Sequence, residues 1–180
     1  MKILFILINF ILAPQIYAMG YYEIALNGSI SKFYNNEVSY TKTNVVGGSL
    51  AYRFISTSAI ELSYSNTFQV VTAPYSTTKG TIDVVSINLI VYILGNQYNL
   101  QPYIKGGPGY MNRRYQYLTD GFSTIESKDE SMTATFGGGV KYMFIENLGL
   151  QGEATCYISD FKAQTRFINY TITAGITVRF

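Results

Sequence analysis

Seven charged residues carry the clearest chemistry in the sequence: Glu23, Arg53, Glu61, Lys105, Lys141, Glu153 and Arg179. Each stands on the polar side of a segment in which apolar and polar residues alternate, so all seven are placed away from the bulky apolar side chains. Three carboxylates and four cations in such positions can build a buried ionic network, because a charge removed from water requires a partner. Other chemistry is sparse. The 180 residues include no His, the commonest general base and zinc ligand. No Ser stands in a base-assisted setting, and the single Cys156 permits neither an internal disulfide nor a thiolate metal cluster. The glycine runs at 106–109 and 137–139 open no helix and lack a following Lys-Ser/Thr pair, so they fail as phosphate loops. With 13 Lys+Arg against 11 Asp+Glu, the net charge of +2 is too balanced for a nucleic-acid surface. The expectation is a non-enzymatic protein with no catalytic residue, no metal site, no cofactor and no nucleic-acid partner.

The elements that position these charges are short alternating segments. Only 13% of residues are charged and 48% are hydrophobic, against about 25% charged in a soluble domain. Met1-Lys2, the apolar run from Ile3 to Ala13 and the small Ala18 have the layout of a secretory signal peptide. This divides the chain into an expected signal peptide at 1–18 and a single domain at 19–180. Within that domain eight segments of roughly ten residues alternate with period two, the length a tilted strand needs to cross a bilayer. One face reads Tyr22, Ile24, Leu26; then Leu50, Tyr52, Phe54; Ile60, Leu62, Tyr64; Val85, Ile87, Leu89; Ile104, Tyr110; Phe136, Val140, Tyr142; Leu148, Leu150, Cys156; and Ile172, Ile176, Val178, Phe180. The connections alternate as well. Residues 55–57, 94–100 and 145–147 read as short turns, whereas 32–42, 66–80, 112–130 and 160–168 read as long polar loops.

Side-chain size decides which face points inward. An eight-stranded barrel has an interior only just wide enough for its side chains. The small Gly, Ala, Ser and Thr residues share the polar face, so that face fits inside and the bulky apolar face requires lipid. The charges agree: none sits in the middle of an apolar face, where Arg or Lys would cost about 2–4 kcal/mol. The reading is an all-β, eight-stranded antiparallel up-and-down transmembrane β-barrel with both termini on one side. Adjacent strands would then bring Arg179 beside Glu23, Glu23 beside Arg53 and Arg53 beside Glu61, with Lys141 between Lys105 and Glu153. Such a ring is either a gate on a narrow conduit or a plug that fills the lumen. Asp83 falls at a strand tip, Pro108 implies a bulge in the fifth strand, and Cys156 faces lipid.

Three stretches resemble a known family. They are Pro102-Tyr103-Ile104-Lys105-Gly106-Gly107-Pro108-Gly109-Tyr110, the hairpin from Gly137 to Leu148, and Thr173-Ala174-Gly175-Ile176-Thr177-Val178-Arg179-Phe180. Together they are similar to the small outer-membrane β-barrels of Gram-negative bacteria, the porin-family group with the OmpA transmembrane domain and the OmpX/Ail proteins. The resemblance implies a protein of the Gram-negative outer membrane, in contact with outer-membrane lipids and lipopolysaccharide. It also implies that Thr173, Gly175, Val178 and Phe180 form the C-terminal signal read by the barrel-assembly machinery. The longest loop, 112–130, presents Arg113, Arg114, Tyr115, Tyr117 and Phe122 as a candidate surface for a host ligand. Two functions remain open on this reading: a structural or surface-interaction protein such as an adhesin or surface antigen, and a narrow channel for small solutes or ions.

Overall fold

The computed structural model describes residues 20–36, 39–74, 76–95, 97–119, 125–160 and 168–180. The expected signal peptide and Phe122 lie outside the described residues. Eight strands run in chain order: β1 (Tyr21–Asn36), β2 (Ser39–Ile55), β3 (Ser58–Ala73), β4 (Ser76–Tyr92), β5 (Leu100–Thr119), β6 (Ile125–Ile145), β7 (Leu148–Ser159) and β8 (Ile168–Arg179). Each pairs antiparallel with the next, and β8 pairs back onto β1 to close the barrel. Among the described residues no helix is long and apolar enough to cross a membrane.

The stagger of the barrel follows from its registers. Phe180 exchanges backbone hydrogen bonds with Tyr22, which lies opposite Tyr52, then Ile60, Leu89, Gly106, Phe136, Cys156 and Tyr170. One circuit therefore returns to β8 ten residues from where it began. For eight strands ~4.8 Å apart rising ~3.3 Å per residue, that stagger tilts the strands by about 40°. Each residue then climbs about 2.5 Å along the axis, so roughly ten residues per strand cover an apolar band of about 25 Å. The outer face matches. On β4 it reads Val91, Leu89, Ile87 and Val85, all exposed, and then changes to Asp83, Thr81 and Lys79. On β6 it changes in the same way from Met132 to Glu130, Lys128 and Glu126.

Two expectations about the strands require correction. The stretches at 32–42, 66–80 and 112–130 are not loops along most of their length; they continue β1–β2, β3–β4 and β5–β6 as hairpins rising above the band. Outside the lipid both faces of a strand meet water, so the chain keeps its pairing while losing the apolar alternation that marks a strand in sequence. Asp83 accordingly stands within β4 rather than at a tip. Pro108 makes no bulge: Ser86↔Gly109 and Leu89↔Gly106 hold one register across it, and pairing with β6 is continuous. The missing N–H is absorbed by a gap in the β4–β5 ladder, where Gly107 lies so close to β4 that an added Cβ would overlap the Ile87 carbonyl.

Candidate functional site in the barrel lumen

Inward parity carries all seven charges into the lower half of the lumen, where six of the seven are buried and Arg179 is partly exposed at the bottom. They form two tiers. In the lower tier the Glu23 carboxylate is the shared partner of three cations. Arg179 Nη2 lies 3.1 Å from Glu23 Oε1, Arg53 Nη1 lies 3.7 Å from the same oxygen, and Lys141 pairs with Oε2. The Tyr92 hydroxyl donates to Glu23 Oε2 (3.1 Å) and accepts from Lys141 Nζ (2.9 Å). Arg53 is fully buried, its guanidinium carbon 3.5 Å from the Tyr92 ring centre, and it donates to Gln101 Oε1 (2.9 Å) and to the Tyr21 hydroxyl. In the upper tier Lys105 Nζ stands 2.8 Å from Glu61 Oε1 and 2.9 Å from Glu153 Oε2. The spare lone pairs of those carboxylates accept from Asn88 Nδ2 (3.1 Å), the Tyr103 hydroxyl (2.8 Å) and the Thr155 hydroxyl (2.8 Å). Each carboxylate thus has the several partners that a buried charge requires.

Part of this pairing differs from the ring read from neighbouring strands. Arg179 and Arg53 do stand beside Glu23. Arg53, however, makes no ion pair with Glu61, because Glu61 lies opposite Ala51 and one inward position higher. Lys141 does not lie between Lys105 and Glu153; it is opposite Gln101 and Gln151, and its side chain crosses the lumen to Glu23. A lumen this narrow lets a Lys side chain reach the far wall, a contact that adjacent-strand arithmetic does not contain.

Above the charges the lumen changes character. Ile82, Val84, Met111 and Tyr157 pack as a buried apolar layer. Over it, Arg113 donates to Ser159, and its Nη1 stands 3.2 Å from Asp129 Oδ2. Arg113 is therefore a buried lumen residue on β5 rather than part of an exposed loop. Arg114, Tyr115 and Tyr117 lie on the same strand; Arg114 points outward and pairs with Asp83 at 2.7 Å. Between the upper ionic tier and the apolar layer is a cavity of about 20 Å³ bordered by Asn27, Ser63, Lys105, Glu153, Tyr157 and Thr173. That is room for about one water molecule.

Several contributors were not singled out from the sequence. Tyr92, Tyr103 and Asn88 already had inward parity, and that parity was the available signal. Ile82 and Val84 flank the outward Asp83, which by period two forces both inward. Of the expected assembly residues, Val178 and Phe180 are exposed on the outer face and Thr173 borders the small cavity. Gly175 occupies the β1–β8 seam, where an added Cβ would overlap the Leu26 carbonyl oxygen. Cys156 lies on the outer face, half-buried and unpaired with another cysteine. Among the described residues no group of three or more His, Cys, Asp or Glu is placed to hold a metal ion.

Comparison with known proteins gives concordant findings. The sequence profile described as outer membrane protein beta-barrel domain matches residues 4–180. No curated protein matches the sequence. Among solved structures the chain is similar to the N-terminal β-barrel domain of Pseudomonas aeruginosa OprF, with a TM-score of 0.62 and 18% identity, covering 91% of this chain and 100% of that one. It is similar to Neisserial surface protein A (TM-score 0.58, 18% identity, 89% and 97% covered). The third is Ail, the attachment invasion locus protein of Yersinia pestis (TM-score 0.53, 12% identity, 92% and 100% covered). At these identities the likeness is one of fold.

Proposed function

The chain belongs to the outer membrane protein beta-barrel family, and on that premise we propose that it is a non-enzymatic structural and surface-interaction barrel whose lumen is a plug. The observation that carries this reading is the stacking of lumen contents: two ionic tiers around Glu23 and Lys105, capped by the buried apolar layer of Ile82, Val84, Met111 and Tyr157. Water-filled conduction needs a continuous polar path, and an eight-stranded lumen filled by side chains leaves none. A narrow channel is the second reading, favoured by the small cavity beside Lys105 and by buried polar atoms without partners at Asn27, Ser131 and Thr177. Single-channel recording separates the two. Refolded protein, its fold checked by heat-shifted gel mobility, is expected to be silent in a planar bilayer. Discrete conductance steps would overturn the plug and establish the channel.

The remaining elements of the reading concern placement and partners. The chain is exported by the segment at 1–18 and resides in the Gram-negative outer membrane. Thr173, Gly175, Val178 and Phe180 are read by the barrel-assembly machinery, so removing Phe180 should lower outer-membrane levels; unchanged levels would refute that role. Exposed Lys32, Lys42, Lys79, Arg114 and Lys128 point outward just above the apolar band, at the height of lipid phosphates, which suits lipopolysaccharide as the surrounding lipid. The hairpins above them, carrying Tyr115 and Tyr117, are the surface for a host ligand, in the manner of an adhesin or surface antigen.

A further inference from the structure

The lower ionic tier is out of balance. Among the described residues Arg53, Lys141 and Arg179 share Glu23 as their one carboxylate partner, which leaves two positive charges in excess within the tier. The upper tier, with Glu61 and Glu153 around Lys105, offsets only part of that excess. Directly beneath the lower tier, at the end of the barrel opposite the hairpin wall, lies a vestibule of about 710 Å³. That volume is in the range of pockets that hold small organic ligands.

The vestibule lining is rich in donors. Arg179 borders it with its guanidinium 4.3 Å from the centre of the Tyr21 ring, a stacking that fixes the plane of the fork. One arm of that fork, Nη2, is held by Glu23, and the Nε of Arg179 is buried without a partner behind it. The Tyr21 hydroxyl accepts from Arg53, so its own proton is left to donate outward. Asn99, Asn147 and Gln97 add side-chain amides, and Glu146 is the one carboxylate side chain among the described lining residues. Behind this surface Arg53 is fully buried, with its Nε and Nη2 also unpartnered.

We propose that this vestibule is a binding site for an oxyanion, a carboxylate or phosphate carried on a small periplasmic molecule, with Arg179 as the contact cation and Tyr21 as the flanking donor. Arg53 and Lys141, buried behind Arg179, set positive charge against the exposed Glu146 of the lining in a partly desolvated site, where charge-assisted hydrogen bonds are strongest. The inference does not depend on whether the lumen conducts, since a silent barrel presents the same vestibule.

The test is a titration of the refolded chain followed by the ¹⁵N–¹H resonances of its arginine Nε groups. Sodium phosphate and sodium N-acetylglycinate are the two oxyanion probes. Sodium chloride at matched ionic strength and neutral N-acetylglycinamide are the controls. The Arg179 Nε resonance is expected to shift saturably with an oxyanion and with neither control. Arg179→Gln should weaken saturation, read on the Arg53 resonance, by at least about tenfold, while Arg114→Gln on the outer face leaves it unchanged. Saturation by only one probe supports the site and tells phosphate from carboxylate recognition. Should Arg179→Gln not fold, Tyr21→Phe keeps the stacking ring and removes the donor, and is expected to weaken binding in the same direction. Shifts that follow chloride equally, or binding unaltered in the folded variants, would overturn the proposal.

Discussion

Replacing Glu23 by Gln is the most exacting perturbation of the lumen. The substitution preserves size and one acceptor oxygen but removes the single negative charge that Lys141, Arg53 and Arg179 share. Breaking one buried ion pair by removing a partner costs about 3–5 kcal/mol, because the other charge remains buried without compensation. Three cations depend on this carboxylate, and the Arg53 side chain is fully buried, so the upper end, about 5 kcal/mol, is expected. Glu61→Gln is the internal control. There Lys105 keeps Glu153 at 2.9 Å, so only a charged hydrogen bond is weakened, at about 1.5–3 kcal/mol. With no Trp in the sequence, unfolding by urea in lipid vesicles is best followed by the heat-shifted gel mobility of the folded barrel and by tyrosine fluorescence. The Glu23→Gln midpoint should fall well below that of Glu61→Gln. A Glu23→Gln barrel within about 0.5 kcal/mol of the parent, or one more stable than Glu61→Gln, would refute the one-carboxylate, three-cation account of the lower tier.

Two further substitutions test the envelope. Arg at the exposed Leu62 or Ile87, in the middle of the apolar band, should reduce insertion by about 2–4 kcal/mol, whereas Arg at Thr77, near a hairpin tip, should not; equal insertion of both would reverse the assignment of faces. Gly175→Ala drives a methyl into the Leu26 carbonyl at the β1–β8 seam, while Gly152→Ala meets nothing within 4 Å. The first should destabilise the folded barrel by at least about 2 kcal/mol and the second by little, as read by the same urea titration.

The fold was readable because lipid imposes a period. Wherever a strand crosses the band, its outward side chains must be apolar while its inward ones are mostly small or polar, and Leu62, Ile87 and Ile176 announce this as plainly as Ser63, Asn88 and Thr177 do from the other side. Above the band that constraint ends, which is why Arg113 and Tyr115 read as loop residues although β5 carries them. The membership of the ionic network was equally readable from parity, but its pairing was not. Parity gives the face and adjacent registers give the neighbours on the wall; neither gives the reach of Lys141 across the lumen. The closing seam shows a related limit. Gly175 stood out within a terminal motif, and its steric role appears only when β1 is brought against it by closure of the barrel.

On the plug reading proposed above, the lumen is closed twice, by unlike means, and this bears on how it responds to change. In that reading the ionic tiers would exclude ions because every carboxylate is bound by cations and hydroxyls or amides, so loosening them is a matter of charge. The layer of Ile82, Val84, Met111 and Tyr157 would exclude water because it offers few polar groups, and loss of a carboxylate two tiers below would not alter that. Arg113, held by Ser159 and Asp129 above the layer, adds a third set of contacts that no change at Glu23 touches. A disturbance of charge in the lower lumen should therefore appear first as lost stability and only with a second lesion, in the apolar layer, as conductance. Sequence positions 82 and 84, both apolar and both inward on a strand whose other inward residues include Ser86 and Asn88, are where that second closure is encoded.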